Sequence, residues 1–454
     1  MTSENIKRPI VVDLFSGAGG LSLGFEQAGF DVVAAVEVDP IHSAAHKFNF
    51  PNCTVFPESI RNLSGEGIRK KAGIGRRKVD VVAGGPPCQG FSLIGQRALD
   101  DPRNSLVGEF VRIVSELDAS YFVFENVKGL TVGRHKMFLE EIIDSFVNLG
   151  YRVLAPWRVL NASCYGVPQD RERLFLLGAK QGLPLPEYPE PSTLSAGSTQ
   201  RSLDLPFGPT CMEAMGDLPD AEKFGDLIDS DSTVTDRWAR PSEYASEMRC
   251  ATRTHWRFGY RRKWDPAVLT SSTRTVHSEI SRRRFLETAP GSVEPISRFF
   301  RLPPNGVSNT LRAGTDAARG AFTSPRPIHF KYPRCITVRE MARLHGFPDW
   351  FRFHETKWHG ARQVGNAVPP PLARAVAESL VRAMGQNPFQ PSETLDLGGA
   401  ELLRMDMSQA ANYWGIPVPI GKRDRKSGAK KRKQEEIESQ RLAASGAKSY
   451  GKSA

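Results

Sequence analysis

Ile10-Val11-Val12-Asp13-Leu14-Phe15-Ser16-Gly17-Ala18-Gly19-Gly20 is the stretch on which the reading of the fold turns. Ile10 to Phe15 is an apolar run interrupted by Asp13, and it predicts a buried strand. Ser16 to Gly20 is a glycine-rich turn. Leu21, Phe25 and Ala28 then recur at helical spacing, and Gly29 ends the helix. A second apolar run, Val32 to Val38, completes a strand–helix–strand unit.

Glu37 stands twenty residues after Gly17, at the end of the second strand. Glycines in the first turn let a ligand approach the backbone, and a carboxylate at this distance can accept hydrogen bonds from ribose hydroxyls. The turn departs from the dinucleotide pattern, because the third glycine of G-x-G-x-x-G would fall on Ser22. A nicotinamide dinucleotide is therefore disfavoured. A nucleoside without a pyrophosphate, such as S-adenosylmethionine, fits better.

Working outward, Val79 to Ala83 reads as another buried strand. It runs into Gly84-Gly85-Pro86-Pro87-Cys88-Gln89-Gly90-Phe91-Ser92. Two prolines stiffen the backbone and present one thiol just past a strand end, where open α/β sheets bind ligands. Asp100 to Asn104 signals a helix over Ser105 to Leu117. Tyr121 to Phe124 is a further strand, and it puts Glu125 at the same sheet edge as Cys88. An amphipathic helix over about 136–148 follows, then a strand pair around Gln169 to Arg173. Arg69 to Lys78 reads as a solvated loop.

The character changes after about Gly182. Prolines, serines and glycines dominate 184–220, which reads as a linker. Residues 237–301 hold fourteen Lys/Arg against six Asp/Glu, interleaved with Trp238, Trp256, Phe258, Tyr260 and Trp264. That mixture suits phosphate contacts and base stacking. Order returns near Ser308, with a helix from Thr337 to Leu344 whose Thr337 and Glu340 have capping-box spacing. A last helix after Pro369 carries Leu372, Val376 and Leu380 on one face. Ser408 to Ile416 suits one small helix and turn. Residues 422–454 hold eleven Lys/Arg against four acids. Cutting the chain after Asn387 is thus expected to weaken binding of a polyanion while leaving the chemistry intact.

The whole chain of 454 residues has a net charge of +11, which points to a polyanionic partner. The six cysteines are scattered, and none forms a C-x-x-C pair, so a disulfide framework, a zinc site and any other metal are not expected. Cys53, Cys164, Cys211, Cys250 and Cys335 read as structural. With neither a secretory signal nor a membrane-length apolar run, the expected location is the cytoplasm, with the nucleoid.

Six motifs in this order resemble the DNA (cytosine-5)-methyltransferase family, over about 1–180 and 308–385. They are Asp13 to Gly20, Gly85-Pro86-Pro87-Cys88-Gln89, Glu125-Asn126-Val127, Gln169-x-Arg171-x-Arg173, Arg339-Glu340 and Gly365-Asn366. The resemblance implies a Rossmann-like α/β domain, with a mostly parallel sheet and helices on both faces, plus a smaller irregular target-recognition domain. The catalytic domain would comprise 1–184 and 308–387. Linker and recognition region would occupy 185–307, and a basic, partly disordered tail 388–454. It implies S-adenosylmethionine as cofactor, held by Phe15, Ser16, Gly17, Ala18, Gly19, Gly20, Leu21, Glu37, Ile60, Pro86, Leu106 and Asn366. Ser59 stands where the family usually has the aspartate that meets adenine.

Cys88 matches the nucleophile, Glu125 the motif glutamate, and Arg173 the arginine near the cytosine carbonyl. The chemistry supports these roles. Cytosine C5 becomes nucleophilic once a thiolate adds at C6, and an acid at N3 with an arginine at O2 stabilises the charge that develops. The base must leave the duplex to reach the thiol. Gln89 and Ser92 would then open a lid running to Asn104. Arg171, Arg257, Arg261 and Arg262 would be substrate or DNA contacts, although Arg171 also suits a structural tie. The expected partners are double-stranded DNA and a cognate restriction or defence protein, with the chain itself a monomer. The rival readings are an RNA (tRNA) cytosine-5 methyltransferase and a DNA-binding protein with a decayed active site. A zinc deaminase is excluded, because Phe91 stands where P-C-x-x-C needs its second cysteine.

Overall fold

The computed structural model describes residues 7–87, 105–133, 135–199, 204–314 and 326–418. The chain opens with β1 (Ile10–Leu14), α1 (Gly20–Gln27), β2 (Asp31–Val36), α2 (Pro40–Asn49) and β3 (Thr54–Phe56). Then come α3 (Gly65–Lys71), β4 (Val81–Gly84), α4 (Ser105–Glu116), β5 (Tyr121–Val127), α5 (His135–Asn148), β6 (Tyr151–Val153), β7 (Arg158–Asn161) and β8 (Glu172–Lys180). One eight-stranded sheet forms in the order β3-β2-β1-β4-β5-β8-β6, with β7 also on β8. The first five strands of that order are parallel, and β8 runs antiparallel to β5.

The strand sequences fail to alternate because both faces are covered. Val11, Val81, Val123 and Phe175 face one apolar layer, and Val12, Val82, Phe122 and Leu174 face the other. The second layer is closed by α3, α4 and α5 through Ile68, Phe110, Ile113, Ile142 and Phe146. Part of the expected solvated loop near Arg69 is thus helix α3, with Ile68 fully buried.

The first layer needs the end of the chain. Beyond β8 the elements are short: α6 (Cys211–Met215), β9 (Thr233–Val234), α7 (Glu243–Met248), β10 (Arg261–Lys263), β11 (Val268–Leu269) and α8 (Glu279–Glu287). Three helices follow: α9 (Val338–Leu344), α10 (Lys357–Asn366) and α11 (Pro370–Ala383). α11 lies against α1. A Cβ on Gly24 would stand 2.4 Å from the Cβ of Ala373, so the glycine sets how closely the two helices meet. The capping box of α9 forms as its spacing predicts, with the Glu340 amide donating to the Thr337 hydroxyl at 3.2 Å.

The inserted region is knitted to this return segment by buried charge. Arg343 donates to Asp217 at 3.0 Å and to Asp349 at 2.6 Å, and all three are buried. Arg339 donates to the Thr270 hydroxyl at 2.7 Å and the Phe351 carbonyl at 2.8 Å. Arg334 pairs with Glu340 at 2.8 Å and Asp220 at 3.2 Å.

Two expectations need correction. The stretch expected as a linker buries Cys211, Ala214, Met215 and Leu218 in the sheet's first apolar layer. Nor does the tail begin at 388. Thr394–Asp396 (β12) pairs in parallel with β10, and Met407–Trp414 (α12) forms the small helix expected there and packs on α2. Leu395, Leu402 and Leu403 are buried. Prolines, glycines and charge marked both segments as loose, but their few apolar side chains find partners distant in sequence.

Candidate active site at the carboxyl edge of the sheet

β1, β2, β4 and β5 end around a cavity of about 510 Å³. The chain leaves β1 through three left-handed residues: Phe15 (φ 62°), Gly17 (φ 56°) and Gly19 (φ 107°). A phenylalanine in that region stores roughly 1–3 kcal/mol, and Phe15 does so on the cavity wall. A Cβ on Gly20 would stand 2.4 Å from the Val368 carbonyl, so the start of α1 meets the 366–368 segment only through glycine.

Glu37 lies past β2, with Oε2 accepting from the Gly17 amide at 2.9 Å and Oε1 from the Asp39 amide at 2.8 Å. Burial raises its carboxyl above the ordinary range. Asp13 ends in the same cavity. Its Oδ2 accepts from the Ser22 hydroxyl at 2.5 Å, and that hydroxyl lies 3.0 Å from Nε2 of His46. Burial pushes Asp13 up to about 7 and His46 down to about 3. Neutral His46 can then donate from Nε2 to Ser22, whose hydroxyl in turn donates a hydrogen bond to Asp13. Ser22, where a dinucleotide turn has glycine, thus has a partner on each side.

The lining offers Glu37, Asn366, the backbone at Gly17, and two buried polar atoms that have no partner among the described residues, Asp13 Oδ1 and Ser16 Oγ. Such unsatisfied groups ask for a polar ligand. The donor set suits a nucleoside carrying a charged amino-acid chain, and no pyrophosphate cradle is present among these residues.

Glu125 lines the same cavity from the end of β5. Its Oε1 pairs with Nε of Arg173 on β8 at 2.9 Å, both side chains being about one-eighth exposed. Burial raises the Glu125 carboxyl, while Arg173 and then Arg171 pull against that rise. A Cβ on Gly85 would come within 2.5 Å of Glu125 Oε2, so the glycine makes room for the carboxylate. Asn126 Nδ2 donates to the Pro86 carbonyl at 2.9 Å and binds the proline platform to β5. Glu125 and the segment approaching Cys88 are therefore held as one unit. Cys88, Gln89 and Ser92 lie outside the described residues, and the described chain reaches Pro87, itself on the cavity wall.

Of the residues expected at the cofactor, Phe15, Ser16, Gly17, Ala18, Gly20, Leu21, Glu37 and Asn366 line the cavity. The others lie off it, and each has a local reason. The Cα of Gly19 faces Phe50 and His46. Ser59 accepts from the Arg61 amide at 3.4 Å and caps a short helical turn. Ile60 and Leu106 belong to the second apolar layer, and Pro86 is buried under Asn126.

The arginines expected on substrate or DNA are corrected in part. Arg171 is 1% exposed and donates to the carbonyls of Leu311 (3.0 Å), Gly365 (2.8 Å) and Ala367 (2.9 Å), which fastens the return segment beside Asn366. Arg262 has a fully buried side chain, paired with Glu26 at 2.7 Å and set over the Trp350 ring. Arg257 pairs with Glu247 at 2.8 Å, and Arg261 donates to the Ser392 carbonyl at 3.1 Å. All three sit by the amino edge of the sheet, where Arg8 joins Asp31 and Phe258, so they are not with the cavity. The aromatics near them are spoken for as well: Trp256 stacks on Trp350 and Tyr260 donates to Asp31 at 2.9 Å.

A second groove adjoins Arg173. Lys128, Asp170, Asn309 and Thr310 line it, and Asn309 and Thr310 continue into a hollow bordered by Arg298 and Arg312, both exposed. Sequence reasoning missed this path, and it missed Asp13, Asp39, His42, Arg362, Gln363 and Met407 on the cavity wall. Asp39-Pro40 was legible as a helix start, since Asp39 caps α2 with proline at its first position. Nothing near Met407 pointed to the site.

A doubly wound α/β sheet with a ligand cavity and a buried acid at its carboxyl edge defines the class, a Rossmann-like methyltransferase. Residues 10–382 match the model of the C-5 cytosine-specific DNA methylases, and the chain belongs to that family, whose activity is methylation of cytosine C5 in DNA. It is 57% identical over 413 residues to the type II methyltransferase M.XorII of Xanthomonas oryzae pv. oryzae, covering 91% of this chain and 94% of that one. It is 34% identical over 376 residues to M1.HphI of Haemophilus parahaemolyticus, covering 82% and 86%. Among solved structures it is similar to a protein described as a DNA modification methyltransferase encoded within an E. coli prophage. That match has a TM-score of 0.65 and 33% identity, and covers 83% of this chain and all of the other. The S. pombe Dnmt2 structure, at 17% identity and a TM-score of 0.50, shares the fold.

Proposed function

We propose that this protein methylates C5 of a cytosine flipped out of a specific double-stranded DNA sequence, with Cys88 as the nucleophile. The observation that carries this reading is the Glu125–Arg173 pair, 2.9 Å apart, standing between the ligand cavity and the groove toward Arg298. Glu37, Asp13, Ser16, Asn366 and the Gly17 backbone would hold S-adenosylmethionine, whose sulfonium would supply the methyl group and leave as the neutral thioether. The Cys88 thiolate adds to C6 of the base and forms a carbon–sulfur bond while charge moves into the ring. Glu125, whose carboxyl burial raises above the ordinary range, gives its proton to N3. Arg173 stabilises O2 and holds the carboxylate in place. When C5 has gained its methyl group, N3 returns its proton to Glu125, a water molecule takes the C5 proton, and the electrons of the C5–H bond restore the C5–C6 double bond and expel the Cys88 sulfur as thiolate.

The type II names of the relatives support a restriction-modification role, with a cognate restriction or defence protein as cellular partner. We also propose that the chain acts as a cytoplasmic monomer on the nucleoid. The test is methylation of a random DNA pool followed by bisulfite sequencing. Modified cytosines in one short motif are expected, and none with Cys88→Ala. Methylation of tRNA in place of DNA, or undiminished activity of Cys88→Ala, would overturn the reading.

A further inference from the structure

The match to the family model ends at residue 382, and the chain beyond it folds back onto the cavity. After β12 the segment climbs the outer side of α2, where Leu402 and Leu403 join Ala44, Ala45 and Phe48 in a small apolar cluster. Polar ties fix its path. The Glu355 amide donates to the Leu403 carbonyl at 2.9 Å, Arg404 pairs with Glu355 at 2.7 Å, and His354 Nε2 donates to the Met405 carbonyl at 3.0 Å. The Asp406 carboxylate accepts from the Gln409 amide at 2.8 Å and starts α12. At the other end of that helix the Trp414 indole donates to the Pro40 carbonyl at 3.1 Å.

Two consequences meet at the cavity. Pro40 opens α2 directly after the turn that carries Glu37, and that turn is already tied by Asp39 to Glu37 (2.8 Å) and by Ser43 to the Glu37 carbonyl (2.9 Å). By gripping Pro40, α12 holds the segment that positions Glu37. At its first residue α12 also places Met407 on the cavity wall. Met405, Leu402 and Leu403 pack into the apolar cluster, but Met407 is left half-buried, outside it. A flexible thioether in that position gains burial when the cavity is filled.

We propose that residues 394–414 form a built-in wall of the cofactor cavity, in which Met407 covers the nucleoside of the bound cofactor at the end that carries Glu37. The proposal rests on the reading of the cavity as the S-adenosylmethionine site. It predicts equal effects on S-adenosylmethionine and S-adenosylhomocysteine, because the two share the nucleoside and differ only at the sulfur.

Calorimetric titration of both ligands into the full chain, Met407→Asp and Met407→Leu tests it, with a thermal melt to verify that each variant is folded. Met407→Asp is expected to weaken both ligands alike, by about tenfold. Met407→Leu should restore affinity to within about twofold of the parent, and the affinity for DNA should be unchanged in both variants. Unchanged ligand affinity in a folded Met407→Asp, or a loss confined to S-adenosylmethionine, would overturn the proposal. Failure of the parent chain to bind either ligand would instead overturn the reading of the cavity, and this proposal with it.

Discussion

At Glu125 two forces pull in opposite directions. Burial favours the neutral acid, and Arg173 at 2.9 Å favours the carboxylate. The balance lies above the ordinary glutamate range, so the group keeps its proton to higher pH than an exposed glutamate. An acid-dependent step then weakens as pH rises through that raised value. Removing Arg173 leaves burial less opposed, so Arg173→Ala should move the alkaline limb of the kcat profile to higher pH while lowering kcat. Glu125→Gln should lower kcat by about 10²- to 10⁴-fold and abolish that limb, as single-turnover methylation across pH would report. If the limb persists in Glu125→Gln, the titrating acid is another group. The carboxylate and its arginine were both legible as residues. Their contact was not, because 48 positions separate them and only β5–β8 pairing, which sets Arg173 opposite Val127 and diagonal to Glu125, brings them together.

At the scale of elements, α1 and α11 decide whether the sheet is covered on one face. Gly24 and Ala373 meet where neither helix can spare volume. Gly24→Ala improves helix propensity by up to about 1 kcal/mol, yet it puts a methyl group 2.4 Å from another. Overpacking wins, and a net loss of about 1–3 kcal/mol is expected in chemical denaturation. Because α1 begins at the cavity, affinity for S-adenosylmethionine should fall in the same variant. Strong apolar periodicity made α1, α4, α5 and α11 readable from sequence, and capping-box spacing did the same for α9. α10 was missed, as were β12 and the packing of α12, since these short pieces gain their stability from neighbours far along the chain.

Across the whole molecule, a charge count overstates how many of the basic side chains are free to meet a polyanion. The basic stretch 237–301 spends much of its charge on structure: Arg262 on Glu26, Arg282 on Glu222, Arg284 on Glu294, and Arg301 on the carbonyls of Leu286, Thr288 and Phe330. Exposed Arg298 and Arg312 border the groove that continues from Arg173. Neutralising either should weaken DNA binding and reduce the slope of log K against log salt by about 1, whereas Arg257→Ala and Arg261→Ala should leave the slope unchanged. Binding measured at several salt concentrations separates the two sets, and the reverse pattern would put the DNA at the amino edge. Any truncation meant to spare the packed segment should follow α12, which ends at Trp414 and lies against α2.

The sequence by itself determined the local patterns from which the candidate site is read. A glycine turn after a buried strand, an acid twenty residues on, a thiol on a proline platform and a second acid at a strand end are local patterns, set by backbone sterics and the sheet's fixed polarity. Only the tertiary structure decided which arginines border the groove and which are buried ties, that Ser22 serves Asp13, and that Met407, beyond residue 387, lines the cavity. Those outcomes depend on which distant surfaces meet. A guanidinium or a methionine carries the same signal in sequence whether its partner is a phosphate, a buried carboxylate or a ligand.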